Sequence, residues 1–260
     1  MSATTTATPT LLDCRNISVR FGGVVAVDSV TLQVRSGETL GLVGPNGSGK
    51  STFVNAVTGL VNAKGEVWVS GNRVTLNKPG AIVKHGVYRT YQTPQVDPSL
   101  TCIENVLVAS PDQARRGPIS AWVLRPAMWR HEEARWEEAA AALRHVGLYE
   151  RANDIAAGLS YGEQRHLEIA RALMAHPTLL LMDEPAAGLS SVETHRLIEL
   201  LESLRSEGLS LLVIEHKIGF LESVCHRIVV LQLGRQIAEG TPAEVWANPA
   251  VMEAYLGEAK

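Results

Sequence analysis

The stretch GPNGSGKST, Gly44–Thr52, restricts the chain more than any other. Gly44, Pro45, Asn46, Gly47, Ser48, Gly49, Lys50 and Ser51 satisfy the pattern G-x-x-x-x-G-K-[ST], with Thr52 following. Glycines let successive N–H groups turn towards one point, a helix N-terminus adds positive potential there, and a lysine brings a flexible cation. Together they form a seat for a phosphate chain, in which Lys50 reaches the terminal oxygens and the Ser51 hydroxyl can ligate Mg²⁺. The bland alternative is a glycine-rich strand-to-helix turn. The flanks favour phosphate: TLQVRSGETLGLVG reads as a strand, a turn at Ser36–Gly37 and a second, apolar strand, while Lys50–Thr58 carries Phe53, Val54 and Val57 on one helical face and stops at Gly59.

A second apolar run, LLLMDEP, delivers Asp183 and Glu184 at its carboxyl end, the edge where open α/β sheets bind ligands. Adjacent strand residues face opposite sides, so the two carboxylates are free to take different roles. Phosphoryl transfer to water needs such a division. Asp183 would hold Mg²⁺, and Glu184 would polarise the attacking water.

The rest of the chain frames these motifs. GEVWVSGNRVTL, residues 65–76, alternates around a Ser-Gly-Asn turn and predicts an antiparallel hairpin, so a small antiparallel layer is expected from residues 10–40 and 65–76. Residues 99–176 show no strand pattern, with helices expected over 126–146 and 162–176. TLLLMDEP and LSLLVIEH, separated by a helix near 191–207, have the pattern of buried parallel strands with a crossover helix, and HRIVVLQLGRQIAEG returns to a strand and turn. There is no internal repeat. An α/β core with an antiparallel β subdomain and a helical subdomain inserted at about 95–176 accounts for residues 11–257, after a disordered lead over 1–10.

Composition closes off several classes. A net charge of −3 argues against a broad nucleic-acid-binding face. Cys14, Cys102 and Cys225 are widely separated without a CxxC pair, so they read as inert thiols rather than a zinc site or disulfide frame. The apolar runs fall short of the about 20 residues that span a bilayer.

LSYGEQRHLEIARAL, directly before LLLMDEP, resembles the signature of ATP-binding cassette (ABC) proteins. Taken alone, Ser160-x-x-Glu163 is a capping box opening an amphipathic helix with Leu167, Ala170 and Leu173 inward. The resemblance implies more: a P-loop NTPase core of RecA-like type, ATP and Mg²⁺ as cofactors, and contact of Ser160, Gly162 and Glu163 with the γ-phosphate of ATP held by a second cassette. It also implies that Phe21 in VRFGG stacks on adenine. Gln92 in YRTYQTP would link Mg²⁺ and the attacking water to the helical insertion, and His216, ending LLVIEH, would contact the γ-phosphate. Gly188, Leu189 and Ser190 fall in the loop after Glu184.

Within the family, YRTYQTP, DEPAAGL, VIEH, EGTPAEV and YLGEA resemble one of the two ATPases of branched-chain amino acid importers. That implies a peripheral subunit on the cytoplasmic face of the membrane, paired with a second, different cassette, two membrane permeases and, indirectly, a solute-binding protein, with no nucleic acid. Three residues depart from the pattern: Ser190 stands where many cassettes carry Asp, Lys217 where this subgroup often has Asp, and Glu163 where Gln is common. A soluble ABC ATPase acting on ribosomes or DNA is the rival reading, but such proteins usually carry two cassettes or a long coiled coil. A P-loop kinase would leave the signature and His216 unexplained. Trp122, Trp129 and Trp136, with Arg115 and Arg116, form either a partner surface or a core for the helical subdomain, and the insertion after Gln92 is the expected permease contact.

Overall fold

The computed structural model describes residues 9–110 and 125–256, with side chains described over 9–110 and 132–255. In chain order its regular elements are β1 Thr10–Phe21, β2 Val24–Arg35, β3 Thr39–Val43, α1 Lys50–Val57, β4 Lys64–Val69, β5 Asn72–Val74, β6 Val87–Arg89, α2 Cys102–Val108, α3 Arg125–His145, α4 Tyr161–Leu173, β7 Leu179–Asp183, α5 Ser191–Ser206, β8 Ser210–Ile214, α6 Ile218–Val224, β9 Arg227–Gln232, β10 Arg235–Gly240, α7 Pro242–Trp246 and α8 Pro249–Leu256. The expected lead falls largely on residues 1–8, outside the described residues, and β1 already begins at Thr10.

Among the described residues, one compact unit comprises 9–88, 178–186 and 201–256, and a second comprises 89–110, 125–177 and 187–200. The first unit holds two sheets. A four-stranded antiparallel sheet has the order β2-β1-β4-β5, and a six-stranded sheet the order β10-β9-β3-β8-β7-β6. In the six-stranded sheet β3 lies between β8 and β9 and is parallel to both, β7 is parallel to β8, and β10 returns antiparallel beside β9. Every residue of β3 and β8 is buried, as strands covered on both faces must be. Leu40, Leu42, Leu212 and Ile214 join Phe53, Val54 and Val57 of α1 in one apolar cluster, and each fully buried aliphatic side chain contributes about 1.5–3 kcal/mol.

The expected antiparallel layer forms, but Thr39 and Leu40 belong to the six-stranded sheet. The chain changes sheets at Ser36–Gly37, where Gly37 has φ 71° and its N–H donates to Ser210 Oγ at 2.9 Å. Buried Glu38 anchors the crossing by accepting from Arg227 Nε at 2.8 Å and from the Arg35 N–H at 2.8 Å. All three cysteines are free and buried. Burial pushes their thiols up, that of Cys225 to about 12, as expected of inert groups.

In the second unit α3 and α4 form near the expected positions. However, α4 ends at Leu173, because Met174 caps it and His176 turns left-handed at φ 47°. Leu167 and Ala170 are buried as expected, whereas Leu173 at the helix end is only half-buried. α2 is an addition to the expected helices, although TCIE opens it with a capping box. Trp122, Arg115 and Arg116 lie outside the described residues, as does the Trp129 side chain, and Trp136 is exposed. No described helix is long and apolar enough to cross a membrane.

Reciprocal Ser/Thr–Glu capping boxes open α2, α4 and α7, through Thr101–Glu104, Ser160–Glu163 and Thr241–Glu244. Backbone N–H donors hold the Glu104 and Glu244 carboxyls below the ordinary range. A group whose folded value is depressed contributes stability above its unfolded value, about 4.3, and loses it as pH falls through the folded one. The melting temperature should therefore fall on acidification below about pH 4.3, and the double variant Glu104→Gln/Glu244→Gln, which keeps the caps without the titration, should show a shallower fall. An identical acid limb in that variant would assign the loss to other carboxyls.

Candidate functional site

The phosphate-type loop follows β3 directly, and its glycines do different work. A Cβ on Gly44 (φ 146°) would stand 2.0 Å from the Leu231 carbonyl oxygen of β9, and one on Gly49 (φ 103°) 2.5 Å from that of Ala26 on β2. These two permit close backbone packing beneath the loop. Gly47 (φ 73°) meets nothing within 4 Å and marks the open side. A backbone relay braces the turn: the Gly234 N–H donates to Ser48 O at 3.0 Å, and the Asp28 N–H donates to Gly234 O at 2.8 Å. Lys50 Nζ donates to Gly44 O at 2.7 Å and Pro45 O at 2.9 Å, holding the ammonium inside the curl.

Unlike α2, α4 and α7, α1 opens without a side-chain cap or an acidic residue in its first turn. A helix start without a side-chain cap or acidic residue directs its N–H groups and positive end towards an anion. Ser51 is exposed and Thr52 half-buried in that turn, while Asn46 and Gly47 are exposed at the loop's crest.

The sheet register brings the carboxylates to the same edge. Leu42 of β3 pairs Ile214 of β8, which pairs Asp183 of β7. The loop, Asp183–Glu184 and Glu215–His216 therefore all leave the carboxyl ends of adjacent parallel strands. The expected alternation of Asp183 and Glu184 does not carry over. Asp183 is the last strand residue, and Glu184 has left the strand at φ 46° with its N–H on Ile214 O at 2.8 Å. The direction of the Glu184 side chain is therefore set by this left-handed turn rather than by the pleat.

Glu215 joins the site although no sequence motif singles it out. It is buried, and its Oε2 accepts from the Ala186 N–H at 3.2 Å while Oε1 accepts from the His216 N–H at 2.9 Å. It thereby ties the turn after Glu184 to the turn carrying His216. Lys217, one of the departures from the family pattern, donates from Nζ to Ala186 O at 2.5 Å and fastens the same turn a second time. The sequence signal for Glu215 is only a carboxylate at the end of an apolar strand. His216 is largely exposed. Phe21 ends β1 opposite Val24 and is 52% exposed, which a core phenylalanine would not be.

Gln92 and the signature residues belong to the second unit. Ser160 caps α4, accepting from the Glu163 N–H at 3.2 Å, and the Glu163 carboxylate returns to the Ser160 N–H at 2.8 Å and pairs with Arg151 at 2.6 Å. Burial raises the Glu163 carboxyl, but Arg151 and the Ser160 N–H outweigh it and hold the group below the ordinary range. Ser160 Oγ also meets Glu193 Oε1 at 3.3 Å, while Ser190 donates to Glu193 Oε2 from its N–H at 3.0 Å and from Oγ at 2.8 Å. Ser190 thus acts as the cap of α5. A Cβ on Gly162 would stand 2.6 Å from Glu193 Oε1, so any larger residue there would have to displace the Glu193 carboxylate.

A parallel sheet whose central strand feeds a glycine-lysine loop into an uncapped helix, with Asp-Glu at a neighbouring strand end, defines a P-loop ATPase. A model of the ABC transporter family matches residues 27–187, and one described as branched-chain amino acid ATP-binding cassette transporter matches residues 235–260. The chain is 41% identical over 251 residues to the high-affinity branched-chain amino acid transport ATP-binding protein LivG of Salmonella typhimurium, covering 96% of this chain and 98% of that one. It is 39% identical to BraF of Pseudomonas aeruginosa, with the same coverage. Among solved structures it resembles an ATP-binding cassette of an ABC transporter in its ADP conformation, 32% identical with TM-score 0.83 over 96% of this chain and 100% of that one. It also resembles a dimeric cassette in a post-hydrolysis state bound to ADP and Pi, 27% identical with TM-score 0.71 over 89% and 99%. The chain therefore belongs to the ABC transporter ATP-binding family, in the branch of the branched-chain amino acid cassettes. It is a nucleotide-binding ATPase.

Proposed function

We propose that this chain is the ATP-hydrolysing subunit of an importer for branched-chain amino acids or related small polar solutes. The observation that carries the reading is the convergence of the Gly44–Thr52 loop, Asp183–Glu184 and His216 on one edge of the parallel sheet. The loop N–H groups and Lys50 bind and orient the phosphates, and Phe21 offers an exposed aromatic face to adenine. Glu184 accepts a proton from the attacking water, while His216 donates to the γ-phosphate. Ser51, Asp183 and Gln92 offer a hydroxyl, a carboxylate and an amide oxygen, the hard oxygen donors that suit Mg²⁺, which is ordinarily held by one or two carboxylates together with substrate phosphates. These three residues would hold the ion, which when bound neutralises charge on the phosphates.

Ser160, Gly162 and Glu163 at the α4 N-terminus act in trans on nucleotide held by a second cassette, which is a different chain. Closure and reopening of that pair drives two permease subunits served by a solute-binding protein, with this chain peripheral on the cytoplasmic face of the membrane. LivG and BraF are transport proteins by name, which supports this reading over a soluble ABC ATPase acting on ribosomes or DNA.

Affinity purification of the tagged chain from detergent-solubilised host membranes, followed by mass spectrometry, tests the assignment. Two polytopic membrane proteins and a second cassette are the expected companions. Retention of ribosomal proteins or DNA without a membrane protein would overturn the transport role and leave the ATPase standing.

A further inference from the structure

The segment from Thr90 to Leu100, which contains Gln92, has neither helix nor strand. Its backbone groups must find partners outside a regular ladder. A buried ion pair on α4 supplies several of them. Arg165, the bulkiest fully buried side chain among the described residues, donates from Nη1 to Tyr91 O at 2.6 Å and from Nη2 to Gln92 O at 2.5 Å. Glu168 Oε1 accepts from the Tyr91 N–H and the Gln95 N–H, each at 3.2 Å. The two side chains meet through Nη1 and Oε2 at 2.7 Å. Tyr161 adds its hydroxyl to Gln92 O at 3.1 Å.

Burying an ion pair costs several kcal/mol per ion before the attraction is counted, and an apolar pair of similar volume is often as stable. The cost falls on residues whose other bonds go almost entirely to the backbone on either side of the Gln92 side chain. Arg165 Nε also has no partner among the described residues, so the arrangement serves the loop's geometry rather than complete satisfaction of the arginine. Both residues lie on the helix that Ser160 caps and whose first turn carries Gly162.

We propose that Arg165 and Glu168 are positioning residues for hydrolysis: they fix the backbone of Gln92 and make its placement a rigid function of the α4 helix. The proposal rests on the role given above to Gln92. Arg165 does not touch nucleotide. It acts through Gln92, and that distinguishes it from a residue needed only for folding.

The test is a double-mutant cycle in steady-state ATP hydrolysis by the full-length chain, with Mg²⁺-free ATP binding and thermal unfolding measured alongside. Arg165→Met should lower kcat by about 10- to 100-fold, the scale of effect expected when a group is displaced by about 1 Å, with little change in KM or in Mg²⁺-free binding. Arg165→Lys, which keeps the charge but loses the planar fork, should recover only part of the activity. In a Gln92→Ala background Arg165→Met should cost less than about twofold more, because coupled residues fail to add. A full, additive loss in that background would overturn the positioning role, as would unimpaired hydrolysis by Arg165→Met beside a crippled Gln92→Ala. If Gln92→Ala is itself fully active, the reading of Gln92 fails, and the proposal with it. Should Arg165→Met not fold, Glu168→Gln, which keeps shape and an acceptor oxygen, replaces it in the cycle with the same criterion.

Discussion

Replacing Glu184 with glutamine should leave ATP binding intact and slow hydrolysis by about 10²- to 10⁴-fold, the usual worth of a positioned general base. The substitution preserves size and removes only the ability to take a proton. The left-handed backbone at Glu184, with its N–H on Ile214 O, is set by the main chain and should survive the change. Buried Glu215 should likewise continue to hold the following turn through Ala186. Single-turnover hydrolysis beside equilibrium nucleotide binding separates the two effects. Near-normal turnover would remove Glu184 from its role, and a parallel loss of binding would make it a structural residue of the strand end.

The second large effect should come from Gly44→Ala. Its Cβ would stand 2.0 Å from a backbone oxygen of β9, which cannot yield without moving the sheet or the loop. A destabilisation of about 2–4 kcal/mol is expected, the scale of overpacking combined with backbone strain, together with loss of nucleotide binding. Gly47→Ala is the control. It meets no atom within 4 Å, so it should incur only the left-handed backbone penalty of about 1–2 kcal/mol in stability. Denaturant unfolding of both variants checks the ordering, and equal effects would mean that backbone conformation, not close packing, governs the loop.

Motifs that make short-range demands are legible in the amino-acid order itself. The loop declares itself through glycines at fixed offsets, and β3, β7 and β8 through apolar runs too short for helices. The edge strands are harder. β6 is three residues long and β10, RQIAEG, has no fully buried residue, so neither shows the apolar pattern of a strand; pairing with β7 and β9 places them in the sheet. Long-range partnerships are invisible for the same reason. Nothing local tells that Glu215 will bind the Ala186 N–H, that Lys217 will reach the same residue, or that Arg165 will be buried rather than solvated on a helix face. The left-handed turn at Glu184 leaves no local sign either, because a strand-like DEP offers no glycine to signal it.

The strand order also sets a sequence in time. The loop precedes the carboxylates in chain order, yet among the described residues its strand β3 pairs with residues 211–214 and 227–230, and its underside is braced by Gly234. A nascent chain that has just completed the Asp183–Glu184 strand end already carries the loop, both carboxylates and the Ala26 backbone beneath Gly49, but lacks the strands that flank β3 and the Gly234 brace. The finished seat for nucleotide therefore waits on residues 211–234, so a chain halted after Glu184 holds these motifs without the complete frame that positions them.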